Sequence, residues 1–171
     1  MVKTIFVDGY NVVHSWPDLK QKKDFSFEGA RQTLIDKLHN YGVFKACKIV
    51  LVFDAHKVVG SLEKKEEVNK NISVVFTKDG ETADNYIERN VNALGRKHEI
   101  VVVTSDNLEQ QIVFQRGAVR MSSLEFYNEI LNVEKSIKLK SDKNKIAQKN
   151  SISDNIDDKT AKILEEIRRS K

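Results

Sequence analysis

The chain lacks most of the features that anchor the common specialised protein classes. Its 171 residues include one cysteine, Cys47, so an intramolecular disulfide is excluded and a cysteine-based zinc site has no second thiol nearby. Cys47 is expected as a small buried filler. No apolar run approaches the roughly 20 residues needed to span a bilayer, so no membrane partner is expected. The N-terminus enters an apolar segment directly, without the charged, apolar and small-residue regions of a secretory signal, and the expected location is the cytoplasm. No segment matches the phosphate loop G-x-x-x-x-G-K-S/T, and no internal repeat is visible. What is present, 40% hydrophobic and 32% charged residues, describes one domain with a substantial core plus an extension. A net charge of +4 and a pI near 9.0 lean modestly towards a polyanionic partner.

Four short runs rich in β-branched residues stand out: Thr4 to Val7, Ile49 to Phe53, Ile72 to Phe76 and Ile100 to Val103. Continuous apolar runs of this length suit strands buried on both faces, as in a parallel sheet covered by helices. Between them, Ala30, Leu34, Leu38 and Tyr41 make one stripe over Phe27 to Tyr41, and Ile87, Val91 and Leu94 make another over Ala83 to Leu94. Further helices are predicted over Asn107 to Arg116, with Gly117 as a stop, and from a Ser122/Glu125 capping box to about Glu134. A fifth short strand is predicted around Ala118 to Arg120. Strand and helix alternate, so the fold class is α/β with a mainly parallel sheet. From Ser136 to Asp154 lysines stand among Ser, Asn and Gln without a sustained stripe, the pattern of a basic linker. Ile163, Leu164 and Ile167 then mark a helix over Asp157 to Arg169. Residues 1–136 are therefore read as the globular domain and 137–171 as a basic linker and C-terminal helix.

Acids close every strand. Asp8 follows the first run, Asp54 the second, Asp79, Glu81 and Asp84 the third, and Asp106 the fourth. In a parallel α/β sheet those ends lie on one edge, where ligands bind, so acids far apart in sequence converge. Crowded carboxylates at neutral pH need protons or a compensating cation. A hard divalent ion meets that need, and Mg²⁺ takes carboxylates, waters and phosphate together. In an otherwise basic chain, this pattern points to metal-assisted attack on a phosphodiester. Each acid also has a structural rival: Asp106 as the cap of a helix that Glu109 completes as a capping box, Asp84 as a first-turn acid behind a Thr82 cap, Asp54 and Asp79 as turn residues, and Asp8 as an Asx-turn before Gly9. Gly9 itself is expected to let the chain turn tightly beside a bound ion.

Val7-Asp8-Gly9-Tyr10-Asn11, Phe53-Asp54-Ala55-His56, Glu81-Thr82-Ala83-Asp84 and Thr104-Ser105-Asp106, in this order and spacing, resemble the NYN-domain nucleases of the PIN-like superfamily, and most of all the YacP-type branch. The resemblance covers about Lys3 to Glu134 and includes Trp16-Pro17 and Glu63-Lys64-Lys65. It implies a PIN-like three-layer α/β/α sandwich and a Mg²⁺ or Mn²⁺ site. Carried over position by position, it implies an acidic centre of Asp8, Asp84 and Asp106, with Asp54 and Glu81 as further metal ligands or supporting acids. Asn11 would position water or phosphate, and Thr104 and Ser105 would hydrogen-bond carboxylates or substrate. The branch includes a ribosome-associated endoribonuclease that cuts messenger RNA in the A site, so the resemblance implies RNA, messenger RNA in particular, and the ribosome as partners.

Other residues enter as RNA contacts or supporting groups. Lys57, Lys64, Lys65, Lys70 and Lys78 lie in one loop-rich region suited to phosphates, and Tyr10 and Trp16 are candidates for stacking on an unpaired base. His56 and His14 lie near the proposed edge as candidate supporting groups. Two other functions fit parts of the pattern. One is a Mg²⁺ phosphatase with Asp8 as nucleophile, disfavoured because Tyr10 stands where such enzymes commonly carry a second aspartate. The other is a non-catalytic module that binds RNA or the ribosome and uses the acids only for structure.

Overall fold

The computed structural model describes residues 3–55, 62–95, 98–105, 118–154 and 158–169, with side chains described through 148 and again at 160 and 162–169. The described strands are β1 (Thr4–Asp8), β2 (Lys48–Phe53), β3 (Lys64–Asn69), β4 (Ile72–Phe76), β5 (Ile100–Val103) and β6 (Val119–Met121). The described helices are α1 (Gly9–Ser15), α2 (Pro17–Phe25), α3 (Phe27–Lys45), α4 (Ala83–Leu94), α5 (Ser123–Asp154) and α6 (Asp158–Arg169). The strands form one sheet in the order β3-β4-β2-β1-β5-β6. Only β3 runs antiparallel to its neighbour; the remaining pairings are parallel. The predicted α/β class with a mainly parallel sheet is therefore the observed one.

Alternation along the strands feeds two cores. Ile5 and Val7 of β1, with Ile49, Leu51 and Phe53 of β2, face α1, α2, α3 and the start of α5, where Val13, Leu19, Leu34 and Phe126 are fully buried. Phe6, Val52 and Val75 point the other way and pack on Ala83, Tyr86, Ile87 and Val91 of α4. A strand buried on both faces reads as an unbroken apolar run, which is why these strands stand out in the sequence.

Four elements depart from the sequence pattern. Strand β3, Lys-Lys-Glu-Glu-Val-Asn, is exposed along almost its whole length. It is an edge strand whose charges discourage pairing with another chain, so it carries no apolar signature. Helices α1 and α2 occupy residues 9–25, where no element is predicted; Trp16 adopts an extended ψ of 129° between them and Pro17 opens the second at N1. Helix α5 does not stop near Glu134 but runs to Asp154. The expected basic linker is helical there: no glycine or proline follows Gly117, and lysine, glutamine and serine supply no break. The helix predicted over Asn107 to Arg116 lies outside the described residues.

The chain divides into two compact units, Met1–Glu134 and Lys135–Lys171. In the second, Ile163, Leu164 and Ile167 of α6 remain exposed. Among the described residues no helix is long and apolar enough to cross a membrane.

Candidate active site

Because β1, β2, β4 and β5 are parallel, their C-terminal ends share one edge. Strand order reverses there: the chain steps from β1 outward to β2 and β4, then α4 carries it back across to β5 on the other side of β1. Such a switch point leaves a crevice beyond the strand ends, and Asp8 is the last residue of β1.

Asp8 is both strand end and helix cap. Its Oδ1 accepts a hydrogen bond from the Asn11 N–H at 3.0 Å, closing the first turn of α1. Burial raises its carboxyl from 3.8 to about 6, the Asn11 N–H opposes that rise, and the charges of Asp84 and Asp54 add to it. The carboxylates of Asp84, on α4, and Asp54, directly behind β2, thus both act on Asp8 at the end of β1, as expected where acids converge.

Asp54 and Asp84 are held at the mouth of α4. Asp54 Oδ1 accepts from the Ala83 N–H, the first residue of that helix, where a carboxylate meets both an orphan donor and the positive end of the helix. Thr82 caps the helix through the Asn85 N–H at 3.2 Å. Asp84 Oδ1 is buried and has no hydrogen-bond partner among the described residues. A buried acceptor of this kind costs energy unless a donor or cation fills it.

Thr77, fully buried, is a supporting residue that the sequence pattern does not mark. Its hydroxyl donates to the Glu81 carbonyl at 2.6 Å and accepts from the Ala55 N–H at 3.1 Å, tying the loop after Asp54 to the approach to α4. A small hydroxyl residue directly behind a buried strand was the only available signal.

Glu81, expected as a metal ligand or a supporting acid, is engaged by a cation of the protein itself. Both its oxygens pair with Arg89, at 3.1 and 3.3 Å, and Arg89 also reaches Glu63 at 2.9 Å. Its carboxylate is engaged by a guanidinium one helical stretch away, which braces the N-terminus of α4.

The proposed RNA contacts separate sharply. Trp16 is fully buried between α1 and α5, packed on Phe126 and Tyr127, with its indole N–H donating to the Ser123 carbonyl at 2.9 Å; it has no face left for a base, which corrects the stacking role. Tyr10 lies partly buried against Phe27 and edge-on to Phe53, with ring centroids 5.2 and 5.4 Å away, a packing role first. Lys64, Lys65, Lys70 and Lys78 are exposed, though Lys64 and Lys65 pair with Glu66 and Glu67 within β3. Thr104 is buried with its N–H on the Met121 carbonyl at 3.2 Å, and Ser105 is exposed beside it. His14 stands 2.9 Å from the Lys23 ammonium, and burial, then Lys23 and Lys20, hold its pKa below the usual histidine value. Asp106, His56 and Lys57 lie outside the described residues.

Gly9 does not turn the chain. It is the first residue of α1 and is not among the positive-φ glycines; a Cβ there would lie 2.6 Å from Cζ of the Phe53 ring. The position needs glycine for close packing beneath Asp8.

Among the described residues no three His, Cys, Asp or Glu side chains group closely enough to hold a metal ion by themselves. The donor set nonetheless fits Mg²⁺ or Mn²⁺, which commonly take one or two carboxylates and complete their shell with water and phosphate: Asp84 offers an unpartnered buried oxygen, and Asp8 carries a charge that its surroundings disfavour.

Comparison with known proteins places these features in a wider set. The family model described as the YacP-like NYN domain matches residues 5–169. YacP of Bacillus subtilis is 44% identical over 134 residues, covering 78% of each chain. A crystal structure of Rae1 (YacP) from Bacillus subtilis matches with a TM-score of 0.71 at 38% identity, over 97% of this chain and 94% of that one. A tryptophan-to-leucine mutant of the same protein gives 0.70 at 38% identity, over 82% and 81%.

Proposed function

This chain belongs to the YacP-like NYN family, a nuclease-type domain, and on that premise we propose that it is a metal-dependent endoribonuclease, acting on messenger RNA in association with the translating ribosome. The observation that carries the nuclease reading is the pairing of Asp8 and Asp84 at the strand-order reversal, one with its pKa raised to about 6 and the other with an unpartnered buried oxygen. The preference for messenger RNA and the ribosome rests on the resemblance to the YacP-type branch.

Asp8 and Asp84 would hold Mg²⁺ or Mn²⁺, with Asp54 beside them. A bound divalent cation supplies compensation for the carboxylate charges and Lewis acidity towards water and phosphate. The chain supplies the geometry. The Asn11 N–H fixes the Asp8 carboxylate from below, and the Ala83 N–H fixes Asp54. Thr77 and the Glu81–Arg89 pair hold the N-terminus of α4, and with it Asp84, against the edge of the sheet. Asn11, one turn from Asp8, would orient water or a phosphate oxygen. Such pre-set acceptors reduce the reorganisation that hydrolysis would otherwise require.

Attack by water leaves 5′-phosphate and 3′-hydroxyl ends. Mapping RNA ends in a translating system, with the wild-type protein beside Asp8→Asn, tests the reading: new 5′-phosphate ends that vanish in the variant are expected. Ends carrying 2′,3′-cyclic phosphate would instead assign the attack to the RNA 2′-hydroxyl and overturn the mechanism.

A further inference from the structure

A second site lies on the opposite edge of the sheet. A cavity of about 620 Å³ opens on the α4 face, within the range of pockets that take small organic ligands. Thr4 and Lys48, which open β1 and β2, line it, whereas Asp8 ends β1 four residues further on. At roughly 3.3 Å per residue, the cavity and the acidic edge stand about 13 Å apart along the strand.

The lining has two parts. Phe6, Val50 and Leu94 form an apolar wall, and Lys48, Lys65 and His98 contribute cationic or hydrogen-bonding heads, with no aspartate or glutamate among the lining residues. Lys48 has no carboxylate within ion-pair distance among the described residues. Lys65 is 3.6 Å from Glu67, with both side chains more than half exposed, and such a pair is worth little and yields readily to a stronger anion. The His98 Nδ1–H donates to the Leu94 carbonyl at 2.9 Å, leaving Nε2 for a ligand. Asn90 donates its amide to the Tyr86 carbonyl at 2.8 Å, so its side-chain oxygen remains an acceptor at the wall. A smaller cavity of about 240 Å³ adjoins the first, sharing Thr4, Lys48, Val50 and Lys65 and adding Lys70 and the Glu67 that pairs with Lys65.

An apolar wall with an amide acceptor, facing a cluster of ammonium groups, matches a ligand with a flat, partly polar body and a phosphate. A simple anion would leave the wall unused, and an alkyl chain would leave the Asn90 side-chain oxygen and the Lys48 ammonium unmatched. We propose that this cavity binds a nucleoside monophosphate, its base against Phe6, Val50 and Leu94 and its phosphate on Lys48 and Lys65. The site is independent of the acidic edge and does not require that the protein cleave RNA.

Titration calorimetry of the full chain with adenosine and uridine 5′-monophosphates tests it, with the nucleosides and inorganic phosphate as comparisons. One saturable site is expected, with the nucleoside and phosphate alone at least about tenfold weaker, since a charged hydrogen bond is worth one to two powers of ten. Exposed Lys48 and Lys65 can be changed without disturbing the core, so a Lys48→Ala/Lys65→Ala double variant should lose about tenfold or more. Ala93→Phe, which fills the cavity from exposed α4, should abolish binding, and Asp8→Asn should leave it unchanged. Absence of saturable binding overturns the proposal, as does equal affinity for inorganic phosphate. Retention in the double variant or loss in Asp8→Asn would do the same, by moving the ligand elsewhere.

Discussion

The Phe53 ring occupies the space into which a Cβ on Gly9 would project, with its Cζ only 2.6 Å from that position. This contact sets the approach of α1 to β2 directly beneath the Asp8 carboxylate. The ring cannot swing aside cheaply, because it is 1% exposed and stacks on Phe76 with centroids 5.8 Å apart.

Gly9→Ala is therefore expected to destabilise the fold by about 1–3 kcal/mol, the usual cost of overpacking a tight core. Helix propensity alone would favour alanine at this position by roughly 1 kcal/mol, so the two effects have opposite sign. A urea titration decides between them. An alanine variant as stable as the wild type would mean that Phe53 does not enforce the approach.

The Asp8 carboxyl makes a pH-dependent prediction in the absence of divalent ions. Its folded-state pKa, about 6, lies above the ordinary aspartate value of 3.8. The folded state then holds the proton more tightly, so this group's contribution is fully present below about pH 4 and is lost as pH rises through 6. Asp8→Asn keeps an acceptor for the Asn11 N–H but carries no charge. In EDTA at pH 7 it should be more stable than the wild type by up to about 3 kcal/mol, with the gap closing below about pH 4. Stability curves that stay parallel from pH 4 to 7.5 would count against a buried, charge-crowded Asp8.

Divalent ions should close most of that gap. Mn²⁺ or Mg²⁺ at a hundredfold excess over its Kd should stabilise the wild type by about 2.7 kcal/mol and raise Tm, with Asp84→Asn losing the shift together with RNA cleavage. Glu81→Gln, whose acid is engaged by Arg89, should retain the metal-dependent Tm shift and lose cleavage by no more than about tenfold, the effect of about 1.4 kcal/mol in positioning. If Glu81→Gln behaved like Asp84→Asn, Glu81 would have to be reassigned as a direct ligand.

Trp16→Phe should lower stability and leave RNA affinity unchanged. The substitution removes the indole hydrogen bond to the Ser123 carbonyl and leaves space where the larger buried ring packed, at a cost of about 1–3 kcal/mol. Anisotropy with a single-stranded RNA, at a temperature where both proteins are folded, separates packing from contact. Weakened binding by the folded variant would return Trp16 to the RNA surface.

Strands β1, β2, β4 and β5 were legible in the sequence because burial on both faces demands unbroken apolar runs, and the acids behind them were legible because parallel strands must end on one edge. Helices α3 and α4 were marked in the same way by apolar stripes. The sequence by itself therefore determined the α/β class and the set of acids from which a site is drawn. Tertiary structure decided what each residue does there. Trp16 looks like a stacking residue until α5 is seen to cover it. Glu81 and Asp84 are neighbouring acids at one helix entrance on paper, and only the fold brings Arg89 to one and leaves an oxygen of the other unpartnered among the described residues. Gly9 reads as a turn until Phe53 is found above it, and β3 has no apolar signature because an edge strand meets solvent. Periodicity and composition record burial averaged along an element, whereas the partner of a single carboxylate or ring depends on contacts between segments tens of residues apart.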